Sequence, residues 1–355
     1  MTLTRRNLSP SQAARHLGVT VKALRLYESR GLIVPGRNAA GWRVYSPADM
    51  TRAAEVVALR QLGLSLAQIE RAVAGEKGDL DAGLAFHEGL LCDQARRTAE
   101  ALERVRSLRA DLHRGQRPTA ADLRLALRGE DEDALGDAPL SVGFELPWPW
   151  GGEWFELRNL GRLTFVTGPL GSGKTRLCER LAESLPDAGF LPLGRLADPT
   201  ISERIQGRLA ADPALAGRVE RTLAWLVGDG AERSDALVAL VVALEEDAPS
   251  VLVVDMVEEG LGEGTQEALI AHLRLRSLAK RALLLMTRST SILDLDAVGA
   301  NEAIIFCPAS HAPPFRVVPH PRSEGYEAVA TCLAAPTVRA RTAGVVAAEP
   351  RSGPR

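Results

Sequence analysis

No stretch of this 355-residue sequence is uninterruptedly apolar over the ~20 residues that a membrane-spanning helix needs. The opening Met1-Thr2-Leu3-Thr4-Arg5-Arg6 has no apolar segment behind its arginines, so no secretory signal is expected. Cysteine is scarce: Cys92, Cys178, Cys307 and Cys332 stand far apart, with no CxxC or other metal-ligand spacing. That excludes a disulfide framework and a cysteine-built metal site, and it fits reduced thiols. No internal repeat is present, which sets aside solenoids and propellers. The expectation is a cytoplasmic chain with no membrane partner.

What remains is ordinary in bulk and uneven in detail. Hydrophobic residues make up 46% and charged residues 25%, and the length suffices for two or three domains with real cores. The formal net charge of -2 conceals a split. Residues 1–75 hold eleven Lys and Arg against four Asp and Glu, a net +7, which leaves -9 for the rest. A basic first domain on a mildly acidic chain points to a phosphate-backbone partner for that domain alone, the alternative being a solvated basic face.

The most specific motif is Gly168-Pro169-Leu170-Gly171-Ser172-Gly173-Lys174-Thr175, with the spacing of a phosphate-binding loop. It follows the strand-like Leu163-Thr164-Phe165-Val166-Thr167 and precedes the helix-like Arg176-Leu177-Cys178-Glu179-Arg180-Leu181. In that context the loop amides cradle phosphates at a helix N-terminus, Lys174 reaches the β/γ-phosphates and the Thr175 hydroxyl meets Mg²⁺. Val251-Leu252-Val253-Val254-Asp255 is an apolar run ending in a carboxylate, a Walker B candidate whose Asp255 would share the Mg²⁺. ATP or ADP with Mg²⁺ is the expected cofactor, held by Gly168, Gly171, Ser172, Gly173, Lys174, Thr175, Asp255 and Arg288.

Local signals lay out the rest. Ser9-Pro10-Ser11 opens a short helix to Leu17, Gly18-Val19 turns, and Thr20 caps a second helix, Val21 to Ser29, that Gly31 ends. Residues 36–45 read as a β-hairpin wing. Ser46 with Asp49 and Ser65 with Gln68 have capping-box spacing and start a third and a fourth helix. Over 84–113, Leu84, Leu91, Ala95, Thr98, Leu102, Val105 and Leu112 fall on one seam of a long helix. That seam fits a dimer coiled coil, or packing on its own domain. Thr119 starts one more short helix, and 129–139 is acidic and turn-rich like a linker. From about 140, strand candidates at 162–167, 188–191, 251–255, 282–287 and 302–306 alternate with helical stretches, which implies a mostly parallel sheet. The last twenty or so residues read as a disordered tail.

Two helices joined by a short turn make a helix-turn-helix, whose second helix would present Lys22, Arg25 and Tyr27 to a groove. Ala13-Ala14-Arg15-His16-Leu17-Gly18-Val19, Leu24-Arg25-Leu26-Tyr27-Glu28, Gly31-Leu32-Ile33, Gly41-Trp42-Arg43-Val44-Tyr45-Ser46 and Leu62-Gly63-Leu64-Ser65-Leu66-Ala67-Gln68-Ile69 carry a stronger statement. On them, residues 8–73 resemble the MerR family of transcription regulators. The resemblance implies a winged helix-turn-helix, a homodimer through an antiparallel coiled coil, and distortion of a near-palindromic promoter operator. RNA polymerase is a further candidate partner. Arg25 and Tyr27 match recognition-helix contacts, and Arg43 and Tyr45 match wing contacts. Arg37, in the same wing, joins the candidates. Core packing under the wing is the alternative for Trp42 and Tyr45. Metal-sensing members of the family use several cysteines near the dimer helix, where this chain has only Cys92. His16, His87 and His113 read as surface or packing residues.

Residues 155–297 resemble the ABC-type ATPase class, on the phosphate loop and Walker B above all. Gly189 to Pro192 with Asp198 to Ile205 resembles the Q-loop region, Asp229 to Ser234 a decayed signature motif, and Gly260 to Glu263 a D-loop. The departures bear on chemistry. Leu193 stands at the Q-loop glutamine, Met256 at the catalytic glutamate after Walker B, and Arg288 at the switch histidine. A general base to orient water is missing from its place, with Glu258 and Glu259 as substitutes. Arg288 could contact a γ-phosphate instead. Adenine would stack on one of Phe144, Trp148, Trp150 or Trp154, the alternative for each being the core.

The expected chain is therefore multidomain. An α-rich winged helix-turn-helix (1–75), a dimerisation helix (76–115) and a linker (116–140) precede an α/β P-loop domain with a mostly parallel sheet (141–330) and a tail (331–355). The expected function is promoter binding switched by ATP. A DNA-associated ATPase doing mechanical work, a small-metabolite kinase and a nucleotide-free structural P-loop domain are the alternatives.

Overall fold

The computed structural model describes residues 7–114, 116–117, 119, 140–193, 200–276, 281–299, 301–335 and 338. The chain divides into two compact units, Met1–Ala138 and Pro139–Arg355.

In the first unit each of the first four helix starts is written in a side chain. Ser9 caps α1 (Pro10–Leu17) in a reciprocal box with Gln12, and Thr20 caps α2 (Val21–Ser29). Gly18, at φ +68, supplies the left-handed step between them. β1 (Gly36–Arg37) and β2 (Arg43–Val44) pair antiparallel as a small wing. Ser46 with Asp49 and Ser65 with Gln68 box the starts of α3 (Pro47–Gln61) and α4 (Leu66–Val73). The core gathers Leu24, Tyr27, Ile33, Tyr45, Val56, Leu64, Leu66 and Ile69.

α5 (Lys77–His113) begins earlier than the seam alone suggests. Asp79 in its first turn pairs with Arg71 at 2.7 Å, which binds the new helix to α4. Leu64 lies so close to Gly83 that a Cβ there would collide with it, and Phe86 lies over Gly63. Beyond that contact the seam faces outward: Leu84, Leu91, Leu102, Val105 and Leu112 are all exposed.

The second unit is built on a six-stranded sheet in the order β10-β9-β5-β8-β7-β6. β5 (Leu163–Thr167), β6 (Ala188–Leu191), β7 (Val251–Val254), β8 (Ala282–Met286) and β9 (Glu302–Phe306) run parallel. β10 (Phe315–Val317) closes one edge antiparallel to β9. β5, β7 and β8 are buried along their whole lengths, as the unbroken apolar runs require of strands covered on both faces. The connecting helices are α6 (Lys174–Ser184), α7 (Ile201–Ala211), α8 (Pro213–Gly228), α9 (Asp235–Glu245) and α10 (Glu263–Arg276). α9 is apolar nearly all round and sits in the core with Leu223, Leu226, Val254 and Leu285.

Three strands escaped the sequence reading. β3 (Leu140–Glu145) and β4 (Trp154–Leu160) form a separate antiparallel hairpin, and β10 is the third. The expected tail also starts too early. Residues 331 and 332 complete α11 (Tyr326–Cys332), and Ala334 exchanges backbone hydrogen bonds with Arg288 and Thr290. The expected short helix beyond Thr119, the linker at 129–139, Asp198-Pro199 and the tail at 336–337 and beyond 338 lie outside the described residues.

Candidate nucleotide and nucleic-acid sites

The phosphate loop leaves the buried β5 and enters α6 at Lys174. Two glycines are there for shape. Gly173 takes φ +85, and a Cβ on it would lie 2.6 Å from the Trp150 ring and 2.8 Å from Pro149. Gly168 is backed by the Cys307 carbonyl so closely that any side chain would collide with it. The result is a cradle of bare backbone. Lys174 is buried, its Nζ donating to the Pro169 carbonyl at 2.6 Å and to Ser172 Oγ at 3.4 Å. Burial pushes its ammonium down to about 8, and the positive charge of Arg288 pushes the same way. The hydrogen-bond partners of the Lys174 ammonium among the described residues are a carbonyl and a hydroxyl, so its charge is left for an anion to balance.

The ends of the parallel strands bring the remaining candidates to the same edge. Thr287 N donates to Val166 O at 3.0 Å, and Cys307 N donates to Thr167 O at 2.9 Å. β5, β8 and β9 therefore finish level. Asp255, directly after β7, is buried, and Thr175 is exposed in the first turn of α6. A carboxylate and a hydroxyl are the hard oxygen donors that Mg²⁺ takes alongside phosphate oxygens. Bare-backbone cradle, buried lysine and oxygen pair together fit a nucleoside phosphate with Mg²⁺.

The substitutes for a general base are placed differently. Met256 adopts φ +43, a left-handed turn rare for a side chain of its size, and the chain folds back at once. Glu258 is thereby buried, and its Oε1 accepts the Arg288 backbone N–H at 2.9 Å. It acts as a bracket between the Asp255 turn and the end of β8. Glu259 is exposed. Arg288 sits at the end of β8, and its Nε makes no hydrogen bond among the described residues.

Among the aromatics, Phe144 is buried edge-to-face against Phe155, with ring centroids 5.8 Å apart. Trp150 is buried against Gly173, with its indole N–H donating to the Ala312 carbonyl at 3.0 Å. For both, the structure has the core alternative, because the rings are buried against neighbours. Trp154 is exposed and lies over Gly143. Trp148 is exposed beside the Pro149-Trp150 pair that touches the loop.

One residue of this site left no trace in the sequence pattern. His311, in the turn between β9 and β10, brings its Nε2 to 3.1 Å from the Gly171 carbonyl. A single histidine 140 positions from its partner has no periodicity or spacing to announce it.

In the first unit Lys22 and Arg25 are exposed on α2, and Arg37 is exposed on the wing, with Nη1 donating to the Gly41 carbonyl at 2.9 Å. Arg43 is half-exposed and pairs with Glu28 at 2.7 Å. Tyr27 and Tyr45 are corrected: both are buried, because the helix face and strand face that carry them are the core faces. The Tyr45 hydroxyl donates to Glu28, so Glu28 ties wing to helix through Arg43 and Tyr45 together. Burial raises the Tyr45 phenol well above its ordinary range. Trp42 is 72% exposed, which removes it from the core.

Comparison with known proteins adds the following. Residues 8–76 match the family model described as MerR HTH family regulatory protein. Nodulation protein NolA of Bradyrhizobium sp. (strain NC92) is 33% identical over 111 residues, covering 31% of this chain and 46% of that protein. The HTH-type transcriptional activator TipA of Streptomyces coelicolor is 42% identical over 62 residues, covering 17% of this chain and 24% of that protein. The chain thus spans less than half the length of these curated relatives. Among solved structures, a MerR family regulator lacking the sensor domain, bound to promoter DNA, is 20% identical at a TM-score of 0.25, covering 35% of this chain and 98% of that one. An ATP-binding cassette of an ABC transporter, in its ADP conformation, is 15% identical at a TM-score of 0.36, covering 59% of this chain and all of that one, 100%. At TM-scores this low the second unit's chemistry rests on its own geometry.

Proposed function

Residues 8–76 are a MerR HTH domain, and from that premise we propose that the chain is a dimeric promoter-binding regulator whose second unit is an ATP-binding switch. The carrying observation is the buried Lys174 in a glycine cradle, with Asp255 at the same sheet edge, in a chain that also bears the helix-turn-helix. Lys22, Arg25 and Arg37 are the exposed cations that would meet the DNA backbone or guanine edges. Arg43 would reach a phosphate from the wing while Tyr45 and Tyr27 hold wing and helix in place. The outward seam of α5 would pair with a second copy.

In the second unit the loop amides and Lys174 would hold the phosphates, and Thr175 and Asp255 would hold Mg²⁺. Bound Mg²⁺ neutralises charge on the phosphate oxygens. Arg288 would meet the terminal phosphate. With Met256 after Asp255 and Glu258 engaged as a bracket, hydrolysis is slow and binding is the signal. The nucleotide acts by favouring one arrangement of the dimer over another, to the extent that its affinity differs between them.

The test is DNA binding to the chain's own upstream sequence without nucleotide, with ADP, with ATP and with a non-hydrolysable analogue, alongside Lys174→Ala. ATP and the analogue are expected to shift affinity or footprint alike, and Lys174→Ala to be unresponsive. No shift with any nucleotide, together with DNA-stimulated phosphate release, would instead favour an ATPase working on DNA.

A further inference from the structure

The loop Cys307 to Pro314, between β9 and β10, belongs to none of the motifs above, yet it grips the phosphate loop from outside. The Cys307 backbone lies under Gly168, and its N–H donates to Thr167 O at 2.9 Å. Trp150 reaches across, with its ring on Gly173 and its N–H on the Ala312 carbonyl at 3.0 Å. Between these two anchors His311, at φ +57, turns its ring Nε2 to the Gly171 carbonyl at 3.1 Å. A carbonyl can only accept, so the proton sits on Nε2.

Two carbonyls of the phosphate loop meet side-chain donors: Pro169 O takes Lys174 Nζ from within the loop, and Gly171 O takes His311 from outside it. The Gly171 carbonyl and the Ser172 N–H belong to the same peptide group. A donor on the carbonyl polarises that group and strengthens its N–H as a donor on the inner side. Ser172 is fully buried, and among the described residues its N–H meets the Pro169 carbonyl at a long 3.4 Å. The left-handed backbone at His311 is a conformation that side chains seldom adopt, held here by the surrounding contacts.

We propose that His311 is a positioning residue of the phosphate site, orienting and polarising the Gly171–Ser172 peptide so that its amide meets a nucleotide phosphate. This rests on the nucleotide-binding reading of the second unit. It acts on the phosphates and not on the base, so it strengthens binding of ATP, ADP and inorganic pyrophosphate alike.

The experiment uses the full chain and a fluorescent ATP analogue with Mg²⁺, displaced by inorganic pyrophosphate. His311→Ala is expected to weaken both ligands about fivefold, the size of one net hydrogen bond. His311→Gln, which keeps an N–H donor at similar reach, is expected to bind within about twofold of the unaltered chain, the limit below which one hydrogen bond is not lost. Unaltered melting temperatures in both variants separate this from loss of fold. Full affinity in His311→Ala, with Lys174→Ala inactive, overturns the role of His311 alone. No nucleotide binding by the unaltered chain overturns both readings. If His311→Ala does not fold, the ring resonances absent from His311→Gln are followed in the unaltered chain as Mg²⁺-pyrophosphate is added. They are expected to shift, and unmoved resonances overturn the proposal.

Discussion

Lys174 carries the sharpest pH consequence. Burial brings its pKa down to about 8 from the ordinary 10.5, because it disfavours the ammonium. The unfolded chain therefore binds more protons between those values, and the fold gains stability as pH rises from 8 to 10.5. Below 8 the buried ammonium costs the fold about 3 kcal/mol as an order of magnitude. A bound phosphate reverses the preference by giving the ammonium a partner. ATP affinity is accordingly expected to be flat below pH 8 and to fall above it, by up to about tenfold per unit. Calorimetric titrations at pH 7, 8 and 9 read this directly. A flat affinity across the three would mean that Lys174 does not carry the phosphate charge.

At the scale of elements, α5 makes its own prediction. Five exposed apolar side chains along one seam of a 37-residue helix leave more apolar surface in water than a lone helix keeps. The chain is expected to sediment as a dimer, and Leu91→Glu with Leu102→Glu to bring it to a monomer while the melting of α1 to α4 stays put. A monomeric unaltered chain would end the coiled-coil reading. Elements were legible where one local rule decides. Ser46 and Ser65 announce their helices because a hydroxyl three residues before an acceptor satisfies two backbone amides. The parallel strands show as apolar runs because both faces are covered. The β3–β4 hairpin was not legible, since Pro147, Pro149, Gly151 and Gly152 between its strands read as loop, and β10 has only three residues. Of the site, the loop and Asp255 were legible from spacing. The burial of Tyr27 and Tyr45 was not, because their types serve core and groove equally. His311 was not, because its partner is made by topology and not by sequence.

At the scale of the whole molecule, the basic first unit sets how binding responds to salt. Each phosphate that Lys22 or Arg25 neutralises releases counterions. Lys22→Ala and Arg25→Ala are each expected to lessen the slope of log affinity against log salt by about 1. Fluorescence anisotropy on a promoter fragment at several salt concentrations measures it. An unchanged slope would place that residue away from the backbone.

The order of strands in the sheet has a consequence in time. β5, which launches the phosphate loop, finds its neighbours at 282–286 and 302–306, well over a hundred residues further along the chain. The first unit closes over short separations, with helix following helix. Local contacts form fast and distant strand pairing forms slowly. During synthesis the helical first unit can therefore close while the sheet of the second unit still lacks β8 and β9. On the proposed reading, the segment that would read DNA is complete before the segment that would answer to nucleotide.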